Sequence, residues 1–138
     1  RAAGMNVDLA PVVDVVRPES ALHAEGRGFG FSVDAAARFG SAFTRGLRAG
    51  GVAATAKHFP GFGAAPANTD LGAVRIAVGL RELRAVDRLP FKTAVRAGAG
   101  LVMLSSANQV LFTLVALLSL INSTPRTVDI YSMRCSRL

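Results

Sequence analysis

Long hydrophobic runs, cysteine and clustered charge are all scarce in this chain of 138 residues, and each shortage removes a class of answer. The longest apolar run, Val110 to Ile121, is about half of the roughly 20 residues that a membrane-crossing helix needs, so no membrane span is expected. A single cysteine, Cys135, rules out an internal disulfide and leaves the redox compartment open. Acidic residues number 9 against 16 basic ones, a formal net charge of +7, but the basic residues are scattered and 14 of them are Arg. Nucleic-acid binding wants basic residues clustered and interleaved with aromatics, and no such patch occurs. An arginine-rich solvated surface is the expectation instead. The chain starts at Arg1 with no signal peptide, inside what reads as a helix end, so an upstream part is expected. Location and oligomeric state stay open.

What is present is a profile of 51% hydrophobic residues and 14 glycines, which suits a buried α/β domain. The length allows one domain with a sizeable core. Met5 to Ala10 reads as a first strand, prolonged by Val12 to Val16 so that Asp14 falls near its mouth. The stretch from Arg17 to Phe31, broken by Pro18, Gly26, Gly28 and Gly30, reads as a long loop of the kind that carries function. Ser32 is the expected N-cap of a helix, with Asp34 in its first turn. Ala35, Phe39, Ala42, Phe43, Gly46 and Leu47 recur at helical spacing and form the expected buried stripe, and Gly50-Gly51 closes the helix.

Val52 to Ala56 is the second predicted strand, and the loop from His58 to Ala73 follows. Leu80 to Ala97 returns to helical spacing and is split by Pro90, which lacks an N–H and clashes with the preceding turn. Leu101 to Leu104 is the third strand, ending at Ser105-Ser106. Strands alternating with helices predict a parallel sheet with helical crossovers, which a barrel and a doubly wound sheet both satisfy. Polar residues stand at every strand exit: Asp14, then Lys57 with His58, then Ser105 with Ser106. Ligand groups gather at such carboxyl ends. Lys57 and His58, followed by the turn-forming Pro60, Gly61 and Gly63, are therefore site candidates. The texture changes after Ala107, so residues 1–107 are expected to form one domain and 108–138 a divergent tail, helical at first and then irregular.

The runs Asn6-Val7-Asp8-Leu9-Ala10-Pro11-Val12-Val13-Asp14-Val15, Gly26-Arg27-Gly28-Phe29-Gly30 and Ala56-Lys57-His58-Phe59-Pro60-Gly61-Phe62-Gly63 resemble glycoside hydrolase family 3, in its β-N-acetylhexosaminidase-like branch. Leu83 to Phe91 matches the family's helix region, and the resemblance covers residues 4 to 107. It implies part of a TIM-type (β/α) barrel, about three of the eight βα units. It also implies a glycosidase that cleaves O-glycosidic bonds by a retaining mechanism and takes a carbohydrate substrate. A β-glucosidase-type specificity and a catalytically inactive sugar-binding fragment are the alternatives. No cofactor is implied, since the reaction needs water and positioned side chains, and no metal ligands are assigned.

Arg27, Lys57 and His58 match the family's sugar-hydroxyl contacts, and Asp14 is placed either to accept from sugar hydroxyls or to brace Arg27. Two departures accompany the resemblance. The family's Asp-x-His dyad corresponds here to Asn68-Thr69-Asp70, which makes Asp70 the candidate acid/base, or else part of a turn. The family's nucleophilic aspartate has no counterpart after Ala107, and Asp129 is not assigned to that role. A retaining glycosidase needs two groups flanking the scissile bond.

Overall fold

The computed structural model describes residues 4–107 and the backbone of Asp129–Tyr131. The expected helix Val110 to Ile121 lies outside the described residues. The elements in chain order are β1 (Val7–Asp8), α1 (Ala21–Ala24), α2 (Val33–Ala49), β2 (Ala53–Phe59), α3 (Leu80–Glu82), α4 (Leu89–Ala97), β3 (Leu101–Leu104) and β4 (Asp129–Tyr131). The strands form one sheet in the order β1-β2-β3-β4, every neighbouring pair parallel. Helical crossovers between parallel strands make this an α/β sheet of the type found in β/α barrels.

β1 is far shorter than its sequence pattern predicts. Pro11 offers no N–H to the ladder, so regular pairing breaks there. The chain nevertheless stays alongside β2: Thr55 N donates to Ala10 O, Lys57 N to Pro11 O and Val13 N to Lys57 O, all at 2.8–3.1 Å. Val13 through Val16 are buried along this path. Because Lys57 pairs on both sides of its backbone, β2 runs on through Phe59 instead of ending at Ala56.

The stretch between Arg17 and Phe31 is not all loop. Ser20 accepts from His23 N and starts the four-residue α1, which drops Leu22 into a cluster with Val16, Phe62, Ala65, Val74 and Ile76. In α2 the cap at Ser32 and the stop at Gly50 fall where expected, yet the buried face differs. Ala36, Gly40, Ser41 and Thr44 face the sheet, whereas Phe39 and Phe43 stay 45% and 42% exposed. The cause is close approach: a Cβ on Gly40 would lie 2.6 Å from Val13 Cγ1, so only the helix's small-residue face fits against β1's continuation.

Pro90 acts as its chemistry requires and sits in the first turn of α4. The chain ahead of it widens into a five-residue repeat, Arg88 N bonding Leu83 O, before α4 begins. α4 packs Phe91, Ala94 and Val95 on Ala56, Phe59 and Val102 of β2 and β3, forming the main core. The sheet's other face therefore carries the alternate residues of those strands, Lys57 and Met103 among them, which are register partners.

Candidate active site

The carboxyl ends of the strands converge on a cavity of about 460 Å³ lined by Arg27, His58, Phe62, Asn68, Thr69, Asp70, Met103, Leu104, Ser105 and Ser106. His58 reaches it because of a local irregularity. Lys57 pairs with Met103 and Phe59 with Leu104, so His58 is an extra residue in β2 with no opposite number. Such a bulge redirects one side chain without ending the strand. The imidazole is 16% exposed and packs 5.4 Å from the Phe62 ring.

Asp14, fully buried, is spent entirely on this loop. Its Oδ2 accepts from His58 N at 2.9 Å and from His58 Nδ1 at 2.8 Å, and its Oδ1 accepts from Phe62 N at 2.6 Å. It braces His58 directly, and Arg27 is not among its hydrogen-bond partners. Arg27 Nη2 lies 3.3 Å from His58 Nε2. A guanidinium can only donate, so Nε2 is the acceptor and Nδ1 carries the proton that goes to Asp14.

Arg27 itself is held by Glu25, whose Oε2 accepts from Nη1 at 2.8 Å, while Glu25 Oε1 accepts from Asn68 Nδ2 at 2.7 Å. The bond from Arg27 first, and that from Asn68 second, holds the Glu25 carboxyl below the usual carboxylate range. Asn68 Oδ1 in turn accepts from Asp70 N at 2.9 Å and caps the single turn Thr69–Leu71. Ser106 Oγ donates to Thr69 Oγ1 at 2.8 Å and ties this turn to the exit of β3. Asp70 is thus both part of a turn and exposed on the cavity rim.

Lys57 is placed differently. It is half-buried on the inner face of β2, outside the cavity lining, and its ammonium forms no hydrogen bond or ion pair with a described residue. Burial first, and the positive charge of Arg27 second, lowers its pKa, against the pull of Asp8 and Asp14. Asp129 lies at the opening of β4, paired with Leu101 at the start of β3, which is the end of the sheet away from the cavity.

Two contributors had no signal in the sequence. Glu25 acts across 43 residues to reach Asn68, and only the folded chain brings the two together. Asp87, 2% exposed, pairs with Arg17 beneath the Pro60-Gly61 turn: its Oδ2 accepts from Nη2 at 3.2 Å. Its Oδ1 lies 3.0 Å from Nη1, near enough for an ion pair but out of line for a hydrogen bond. Burial raises the Asp87 pKa to about 6, against the opposing charge of Arg17.

Parallel strands joined by helices, with a cation, an imidazole and a carboxyl gathered at their carboxyl mouths, are the layout of a β/α domain with its ligand-facing groups at that end. The model of the glycosyl hydrolase family 3 N-terminal domain matches residues 1–116, and the chain belongs to that family. An uncharacterized secreted glycosyl hydrolase of Arthroderma benhamiae is 43% identical over 110 residues, covering 78% of this chain and 31% of the relative. A beta-hexosaminidase of Stenotrophomonas maltophilia is 40% identical over 105 residues, 76% of this chain and 31% of the relative. Among solved structures, the beta-N-acetylhexosaminidase of Beutenbergia cavernae matches with a TM-score of 0.76 and 29% identity, over 98% of this chain and 44% of that one. The chain spans about a third of the length of these curated relatives.

Proposed function

We propose that this chain supplies the sugar-binding wall and the acid/base side of a retaining β-N-acetylhexosaminidase. The observation that carries the proposal is the convergence of Arg27, His58 and Asp70 on one cavity, with His58 oriented by Asp14. Donors and acceptors held in a fixed array suit the hydroxyls of one sugar ring, because the protein has ordered them before the ligand arrives. In this assignment Arg27 donates to the sugar hydroxyls, and one hydroxyl takes the place of Arg27 Nη2 as donor to the acceptor Nε2 of His58. Lys57 adds positive charge from the inner face of β2, and Asp14 positions His58. Asp70 is the group that protonates the departing glycosidic oxygen. The names of the relatives favour N-acetylhexosamine over glucose as the sugar.

A second reading, sugar binding without turnover by this chain alone, is favoured by one observation. Asp70 is the single carboxylate among the described residues that line the cavity, whereas retention requires two. Calorimetric titration with N-acetylglucosamine and glucose tests the binding site. Preference for the N-acetyl sugar is expected, together with a loss of about tenfold in affinity for Arg27→Ala and for His58→Ala, each removing a charged or oriented hydrogen bond. Nitrophenol release from nitrophenyl β-N-acetylglucosaminide is expected at the level of a Lys57→Ala control. Failure to bind either sugar would refute the site, and robust turnover lost in the control would refute the second reading.

A further inference from the structure

We propose that Glu25 is a positioning residue that sets both the Arg27 guanidinium and the turn bearing Asp70, an inference that rests on the cavity being the sugar site. One carboxylate joins two loops here. Oε2 fixes Nη1 of Arg27, which leaves Nη2 facing His58, and Oε1 fixes the side-chain amide of Asn68. The other end of that amide caps Asp70 N. Displacing Glu25 therefore frees a sugar-contacting cation and the candidate acid at once.

Magnitude decides what kind of role this is. The Glu25 side chain is 33% exposed, and an ion pair at such a surface contributes little to global stability. Its removal should leave the fold intact and loosen only the groups it orders. That separates positioning from a merely structural part.

The contact also has a polarity that can be reversed. Glu25→Gln alone sets an amide N–H₂ against either Asn68 Nδ2 or Arg27, whichever way it turns, because both partners are donors. Asn68→Asp alone sets a carboxylate against the Glu25 carboxylate. The double variant Glu25→Gln with Asn68→Asp swaps donor and acceptor. The amide introduced at position 25 donates to the carboxylate introduced at position 68 and still accepts from Arg27, while the cap on Asp70 N survives.

Hydrogen exchange of the peptide spanning 66–72, read by mass spectrometry at low micromolar protein, measures the turn directly and needs no ligand. Glu25→Ala and each single swap should speed exchange there about fivefold relative to the wild type, the effect of losing one exposed charged contact. The double swap should return it to within about twofold of the wild type, because the pairing is restored. Affinity for N-acetylglucosamine should fall in Glu25→Ala and recover in the double swap, with the melting temperature little changed throughout. Unchanged exchange in Glu25→Ala, a rise shared equally by peptides across the chain, or a double swap no better than its singles would overturn the proposal. A wild-type chain that binds no sugar would sink the assigned function, while the exchange data would still decide the role of Glu25.

Discussion

Asp14 shows how far one side chain governs the site. Three N–H groups of the His58–Phe62 segment end on its two oxygens, with no contact to solvent. Asp14→Asn keeps an acceptor for Phe62 N but turns its amide N–H₂ toward His58. The imidazole must then protonate Nε2 to leave Nδ1 as an acceptor, and that N–H collides with Arg27. Sugar affinity is expected to fall by more than about tenfold, and the His58 ring nitrogens should exchange roles in nitrogen NMR spectra. Retention of the wild-type tautomer with unaltered affinity would remove Asp14 from the site. Lys57 illustrates the contrary case: its lowered pKa arises from burial first and Arg27 second, so Arg27→Ala should raise it only in part.

The strands and helices position these groups through close contacts that tolerate little change. A Cβ at Gly63 would stand 1.9 Å from Val15 O, and Gly61, at φ +154°, would press a Cβ to 2.6 Å from Asp87 Cβ. Both glycines let the loop after β2 lie flat on the segment that carries Asp14 and on Asp87. The buried carboxyl under that loop makes stability depend on pH. Folded, Asp87 holds its proton to about pH 6, while the unfolded group releases it near the ordinary value of 3.8. The stabilising difference is fully present below the unfolded value and is lost as pH rises through about 6, at most about 3 kcal/mol. Urea unfolding of dilute protein from about pH 4 to about pH 7 should show this decline, and Asp87→Asn should flatten it. An equal slope in the variant would assign the pH dependence to other groups.

Among the described residues, large apolar side chains stand exposed at the sheet edge and on α2. β1 stands at an edge of the described sheet with Met5, Val7 and Leu9 exposed, and α2 presents Phe39 and Phe43 outward, in tilted contact with Phe29. Each large apolar side chain left in water forgoes roughly 1.5–3 kcal/mol of burial, and an unpaired edge invites another strand. The chain by itself is therefore expected to self-associate as concentration rises, by light scattering and gel filtration. Phe39→Ser with Phe43→Ser should weaken the association. A monodisperse monomer at all concentrations, with one sharp unfolding transition, would show that these surfaces are harmless as they stand.

Periodicity and punctuation in the sequence were enough to specify the parallel strands, the cap at Ser32, the break ahead of Pro90 and the gathering of polar groups at strand exits. These features come from local chemistry: a proline lacks an N–H wherever it stands, a serine just ahead of a helix accepts from its free N–H groups, and apolar alternation follows the strand period. Contacts between distant segments settled the rest. The apolar pattern of α2 pointed to the Phe39–Phe43 face, but the backbone packs so closely on Val13 that the small-residue face turned inward. Glu25 carries no mark of its position, since its partner Asn68 is 43 residues away and joined to it only by folding. Asp14 was legible as a residue at the mouth of a strand, while its partner was not, because the bulge that swings His58 onto its carboxylate exists only once β2 has paired with β3.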